Sequence, residues 1–173
     1  MVGLMMVDII GYDYNHQDIT FTGARKLWEA MQLTNFLRDV YEDYVDLDRI
    51  YMSSDDLAHF GLTHDDISQF CQTKEIDERR IQYMQYMIQR CDDLYNHADT
   101  TIKYLNPSCQ SAIKLSSDLY RAILRKIESV WYNQFIYSAR TTKRDKFIVI
   151  AKRQALCKLT WISLFSEWEK DCR

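Results

Sequence analysis

Breakers of regular structure are scarce in this chain. It holds one proline, Pro107, and four glycines, Gly3, Gly11, Gly23 and Gly61, in 173 residues. Proline interrupts helices by lacking an N–H, and glycine loosens them through its backbone freedom. So few interruptions favour long helices and argue against a turn-rich β fold. A first apolar helix is expected over Val2–Ile10, stopping near Gly11, followed by a polar loop from Tyr12 to Thr20. Thr22 is placed to cap a helix running to about Tyr44, with Ala24, Leu27, Met31, Thr34 and Leu37 at the spacing of a core-facing stripe. Asp46–Met52 is charged and irregular, and Ser53 and Thr63 are N-cap signals for two short helices. A long helix is expected from Asp77 to Tyr104, with Ile81, Met84, Ile88, Cys91, Leu94 and Ala98 as its apolar face. Asn106-Pro107-Ser108 breaks the chain, and helix resumes from Cys109 to about Tyr137. A basic bend over Ser138–Lys146 then leads to a last helix over Phe147–Glu169. The fold class is all-α, in one domain.

Composition narrows the function. Apolar residues make up 47% of the chain, enough to build a core, and the formal net charge of -3 gives no general drive toward nucleic acid. Five cysteines, an odd number without a C-x-x-C pair, suit a reducing compartment such as the cytoplasm. No apolar run approaches the roughly 20 residues of a membrane span. The opening segment lacks the basic region of a signal peptide, and it starts abruptly, with no N-cap residue before it.

The segment Gln32-Leu33-Thr34-Asn35-Phe36-Leu37-Arg38-Asp39-Val40-Tyr41-Glu42-Asp43 carries the chemistry. Residues four apart on a helix lie one above the other, so Asn35, Asp39 and Asp43 form one polar stripe, with Gln32 beside it and Arg38 flanking it. An amide and two carboxylates are hard oxygen donors suited to Mg²⁺, which usually joins a few carboxylates to substrate phosphates. By spacing alone such a stripe is more usually a solvated acidic helix face. Like charges at this spacing repel by a few tenths of a kcal/mol. The crowding of Asp39, Glu42, Asp43, Asp46 and Asp48 between Arg38 and Arg49 calls for a cation or for water.

The whole string, followed by Asp48-Arg49-Ile50-Tyr51-Met52 and by Asp55-Asp56-Leu57-Ala58-His59-Phe60-Gly61-Leu62, closely resembles the squalene/phytoene synthase family. It matches that family's second aspartate-rich motif, its R-x-Y segment and its D-E-L…G-L segment. Val2-Gly3-Leu4-Met5-Met6 resembles a small-residue helical turn of the family, and Trp131-Tyr132-Asn133-Gln134-Phe135 resembles its G-Y-x-x-F segment. The resemblance runs in order from Val2 to about Ile150.

It implies a C-terminal part of an isoprenoid-synthase helical bundle that joins two prenyl diphosphates head to head. Asn35, Asp39 and Asp43 would ligate Mg²⁺, and Gln32 and Arg38 would contact diphosphate or orient the carboxylates. Arg38 could instead be a simple surface partner of Glu42 at i, i+4. Arg49 and Tyr51 would bind the departing diphosphate, or form a loop contact and a packed ring. Tyr132 would line the cavity or be an ordinary core aromatic, and Val2, Gly3 and Met6 would line the prenyl channel or serve helix packing. Arg140, Lys143, Arg144 and Lys146 form either a diphosphate contact or a solvated basic loop, and Tyr137 stands where the family often has a basic residue. NADPH would be needed only if the product is squalene. The amphipathic Trp161–Trp168 segment suits core packing or peripheral membrane contact.

The family's first aspartate-rich motif has no counterpart upstream of Asp8, and Asp92, Asp93 and Asp99 lie on the wrong segment to supply it. The expectation is that residues 1–173 form a partial domain, active only with an N-terminal portion supplied in trans. A non-catalytic family descendant in binding or assembly, and an inactive remnant, are the alternatives.

Overall fold

A computed structural model describes residues 2–136 and 140–154. Among these residues there is no strand, and one isolated antiparallel bridge joins Tyr12 to Leu105. The all-α expectation holds. Helix α1 spans Val2–Ile10, α2 Gln17–Arg38, α3 Val40–Leu47, α4 Ser54–Ala58, α5 His64–Thr73, α6 Glu78–Thr101 and α7 Pro107–Ser129. A further helical segment covers 143–154.

The caps show why these boundaries fall where they do. Ser53 accepts from the Asp56 N–H, and Asp77 accepts from that of Arg80. Thr63 and Asp66 form a reciprocal capping box, satisfying two N-terminal donors of α5. Asn106 caps α7 with Pro107 in the first turn, where a missing N–H costs nothing. Helix α2 differs from expectation. It starts at Gln17 after a 3₁₀ turn over Tyr14–His16, and the Thr22 hydroxyl donates to the Asp18 carbonyl inside the helix instead of capping it.

Helices α2 and α6 share the most extensive packed face, and α1 and α7 lie against α2. Gly23 makes the α2–α6 approach close enough that a Cβ there would lie 1.8 Å from Thr101 Oγ1. Thr34, fully buried on the core-facing stripe of α2, is satisfied twice. Its hydroxyl donates to the Ala30 carbonyl at 2.7 Å and shares a 2.9 Å hydrogen bond with the Tyr95 hydroxyl of α6. A mispaired buried hydroxyl would cost about 1–3 kcal/mol, so this bond fixes the register of the two helices.

Helix α7 ends at Ser129, earlier than its apolar pattern suggests. Trp131 and Tyr132 follow at φ 54° and 60°, two consecutive side-chain-bearing residues in the left-handed region. Each such residue costs on the order of 1 kcal/mol and persists only when its surroundings hold it. The turn is held from three sides. Asn133 Nδ2 donates to the Lys74 carbonyl at 3.2 Å, and Gln134 Nε2 donates to the Leu37 carbonyl at 2.7 Å. Phe135, buried, lies under the Arg80 guanidinium at 4.4 Å. Arg80 is itself fully buried, and none of its guanidinium nitrogens has a hydrogen-bond partner among the described residues. Burial pulls its pKa down to about 10.

The last helix begins at residue 143, inside the span expected to be a bend. Thr142 and Asp145 form a second reciprocal cap there: Thr142 N–H and Oγ1 both donate to Asp145 Oδ2 at 2.8 Å, and the Asp145 N–H returns to Thr142 Oγ1. The rest of the expected last helix, with Trp161–Trp168, lies outside the described residues, as does Tyr137. No helix among the described residues is long and apolar enough to cross a membrane.

Candidate active site

The acidic stripe crosses a joint. Asn35 sits on α2 and Asp43 on α3, while Asp39 is the bend between them, at φ -99° and ψ 13°. That sparsely occupied backbone region is a frequent home of active-site residues. The Asp39 N–H donates to the Asn35 carbonyl and the Asp43 N–H to the Asp39 carbonyl, both at 2.8 Å. Each residue is therefore one helical turn beyond the last, and the stripe survives the bend. A single helix through Tyr44 was expected. The last carbonyls of a helix need outside partners, and that of Leu37 receives the buried Gln134 amide.

Arg38 does not pair with Glu42. Its Nε donates to Asp39 Oδ1 at 2.6 Å and its Nη2 to Oδ2 at 2.5 Å, a two-pronged grip that raises the Arg38 pKa. Asp43 makes no such pair. Burial first, then the charges of Asp39 and Glu42, push its pKa above the ordinary carboxylate value. Asn35 Oδ1 is buried with no hydrogen-bond donor among the described residues.

Facing the carboxylates is the basic segment, Arg140, Thr141 and Lys146, with Ile123 of α7 between. Together with Arg38, Asp39, Glu42 and Asp43 they line a cleft of about 460 Å³. Arg140 Nη2 lies 3.8 Å from Glu42 Oε1. Of the four basic residues singled out in the sequence, Arg140 and Lys146 reach this cleft. They lie about 100 residues beyond the carboxylates, so no local pattern brings the two together.

The other candidates fall around it. Arg49 and Tyr51 follow α3 on the exposed surface, and Arg49 Nη1 donates to the Tyr51 hydroxyl at 3.1 Å. Tyr51 stacks on Phe36, the residue after Asn35, with ring centres 4.8 Å apart. Neither lines the cleft, nor does Tyr132, which packs partly buried against the core from the left-handed turn. Gln32 is half-buried on α2, outside the cleft lining. Asp99 is unavailable for a second stripe, since Lys114 and Arg121 neutralise it at 2.8 and 2.7 Å, and Asp92 pairs with Arg125.

A second hollow runs between α1, α2, α6 and α7. It holds about 250 Å³, and its lining is overwhelmingly apolar, including Val2, Gly3, Met6, Leu27, Met31 and Ile113. Gly3 serves both roles considered for it. It lines the hollow, and a Cβ there would lie 2.8 Å from the Ala24 carbonyl, so it also lets α1 close on α2. Met31, on the hollow, and Arg38, on the cleft, are seven residues apart on α2. They share a helix face, about 10 Å from each other along the axis.

Among the described residues no three His, Cys, Asp or Glu side chains gather into a metal-holding group. Asp39 and Asp43 line the cleft and suit a hard cation that completes its coordination with phosphate oxygens and water, while Asn35, one turn back, is not part of the cleft lining.

Residues 1–146 match the family model for squalene/phytoene synthase. The chain belongs to the squalene/phytoene synthase family. It is 34% identical over 152 residues to a chloroplastic phytoene synthase of an Oncidium hybrid cultivar, covering 86% of this chain and 36% of that relative. It is 36% identical over 152 residues to phytoene synthase 2, chloroplastic, of Solanum lycopersicum, covering 86% and 47%. The fold matches a crystal structure of a dehydrosqualene synthase with a TM-score of 0.67 at 25% identity, over 79% of this chain and 46% of that one. It also matches the squalene synthase HpnC from Alicyclobacillus acidocaldarius, with a TM-score of 0.64 at 25% identity over 76% and 47%. The chain thus spans about a third to a half of the length of these relatives.

Proposed function

We propose that this chain supplies the second carboxylate stripe and part of the prenyl cavity of an enzyme that joins two prenyl diphosphates head to head. The observation that carries this reading is the succession along one face of α2 of an apolar hollow and a charged cleft about 10 Å apart. A prenyl diphosphate has the same two parts, an apolar chain and an anionic head. Asn35, Asp39 and Asp43 would hold Mg²⁺, which when bound draws off negative charge from the diphosphate leaving group.

The chain's own residues complete the work. Arg140 and Lys146 bring positive charge to the same cleft as the carboxylates, and Arg38 can turn its fork from Asp39 to phosphate oxygens when a cation takes the carboxylate. Arg49 and Tyr51, already hydrogen-bonded together, would receive the departing diphosphate. The C–O bond of the first allylic diphosphate breaks with its electron pair going to the diphosphate. The double bond of the second substrate attacks the resulting cation, and proton loss closes a cyclopropylcarbinyl diphosphate. A second ionisation then rearranges to a C30 or C40 hydrocarbon, quenched by hydride from NADPH for squalene or by proton loss otherwise. Val2, Gly3, Met6 and Met31 keep water from the cations by offering only apolar surface.

One acidic stripe cannot clamp a diphosphate as two facing stripes can, so the facing stripe is proposed to come from a portion outside these 173 residues. The test is product analysis with farnesyl and geranylgeranyl diphosphate and Mg²⁺, for the chain alone and mixed with the N-terminal half of a relative. Negligible hydrocarbon from the chain alone, formation in the mixture, and its loss in Asp39→Ala and Asp43→Ala are expected. Retained product in both variants would remove the metal role, and robust turnover by the chain alone would remove the requirement for a partner.

A further inference from the structure

The joint between α2 and α3 decides where Asp39 points relative to Asp43, and what holds that joint lies 97 residues away in the chain. Gln134 is 5% exposed, and its Nε2 donates to the Leu37 carbonyl at 2.7 Å, two residues before Asp39. This is the direct hydrogen bond between the turn after α7 and the end of α2. Its geometry is over-determined. Trp131 and Tyr132 carry left-handed backbone, Asn133 is tied to the Lys74 carbonyl, and Phe135 is locked under Arg80. Strained backbone held this firmly marks a place where position matters more than local stability. Arg140, Thr141 and Lys146 line the same cleft as the carboxylates. One buried amide thus ties the end of the helix that carries the acidic wall to the turn after α7.

We propose that Gln134 is a positioning residue for the metal–diphosphate site: its hydrogen bond to Leu37 sets the bend at Asp39, and so the alignment of Asp39 with Asp43. This rests on the reading of the cleft given above. Gln134 touches neither substrate nor metal and acts through the backbone. A helix continued straight through Asp39 would satisfy the Leu37 carbonyl internally, and the bend would lose the side chain inserted at it.

The test is Mn²⁺ affinity in the presence of inorganic diphosphate, followed by electron paramagnetic resonance, on the full chain beside Gln134→Met and Asp43→Asn. Thermal melting by circular dichroism is recorded on the same samples. Met keeps the length and packing of Gln but has no donor. The expected result is at least a fivefold weaker Mn²⁺ affinity in Gln134→Met with the folded signal retained. A smaller change overturns the proposal. Should Gln134→Met fail to fold, Gln134→Asn, which withdraws the amide by one methylene, gives the same comparison. Loss of folding in both overturns the proposal too, since Gln134 would then be a determinant of the core. If the unaltered chain binds no Mn²⁺ with diphosphate, or Asp43→Asn binds as tightly as it does, the reading of the cleft fails. If Asp43→Asn loses affinity and Gln134→Met keeps it, the positioning role alone fails.

Discussion

Gly23→Ala sets two physical effects of opposite sign against each other. Gly23 is buried within α2, where alanine is favoured over glycine by about 1 kcal/mol from helix propensity alone. Tertiary packing says otherwise. A Cβ at this position would stand 1.8 Å from Thr101 Oγ1, 2.6 Å from its Cβ and 2.7 Å from its Cγ2, where carbon atoms pack best at about 3.5–4.0 Å. Rotating Thr101 moves its two terminal atoms but not its Cβ, so the helices themselves must separate by about 1 Å. Forced overpacking costs about 1–3 kcal/mol, and a clash with a main-chain-anchored Cβ belongs at the upper end. Net destabilisation of about 2 kcal/mol is expected, a fall in Tm of roughly 4–8 °C for a chain of this size. Thermal melting by circular dichroism measures it. The double variant Gly23→Ala/Thr101→Ala removes two of the three clashing atoms, and should be less destabilised than the sum of the single variants by about 1 kcal/mol. A raised Tm in Gly23→Ala, or strict additivity in the double variant, would refute the close α2–α6 approach as the reason for glycine.

Two further outcomes follow from single side chains. The Thr63 hydroxyl and N–H hold the Asp66 carboxyl below its usual range. A lowered folded pKa contributes stability that is present above the unfolded pKa and is lost as pH falls through the folded one. Asp66→Asn should therefore melt lower than the unaltered chain at pH 7, with the gap closing below about pH 4; a gap independent of pH would count against the charged cap. Among the described residues the buried Arg80 guanidinium has no hydrogen-bond partner and lies against the Phe135 face, a contact of about 2 kcal/mol when desolvated. Replacing a buried charge by an apolar residue of similar length is often neutral or stabilising by about 1–4 kcal/mol. Arg80→Met should leave the urea midpoint unchanged or raise it, and a loss above about 2 kcal/mol would show that Arg80 has a partner of greater worth.

The helical class and most element boundaries were legible because they are local. Ser53, Thr63, Asp77 and Asn106 announce helix starts through side chains that reach their own N–H groups, within three residues. Thr142 and Asp145 carry the same pattern and were hidden by the surrounding lysines and arginines. Thr22 misled because a threonine beside an apolar run can return its hydroxyl to the preceding turn as readily as it can cap.

The stripe Asn35–Asp39–Asp43 was readable because spacing of four is a property of any helix, and its surrounding string identified the family. Three features of the site were not readable. Arg38 grips Asp39, its neighbour, where helix spacing pointed to Glu42, because the bend at Asp39 turns the carboxylate back. Arg140 and Lys146 join the cleft from a segment far along the chain from the carboxylates. The turn after α7 and the bend are joined to each other by a hydrogen bond between residues 97 apart. By itself the sequence determined which segments are helical, which face of each is apolar and which residues could ligate a cation, since these depend on neighbours within a turn or two. Only the tertiary structure decided where α2 breaks and what faces the carboxylates, because a buried amide takes whichever carbonyl the packed chain presents to it.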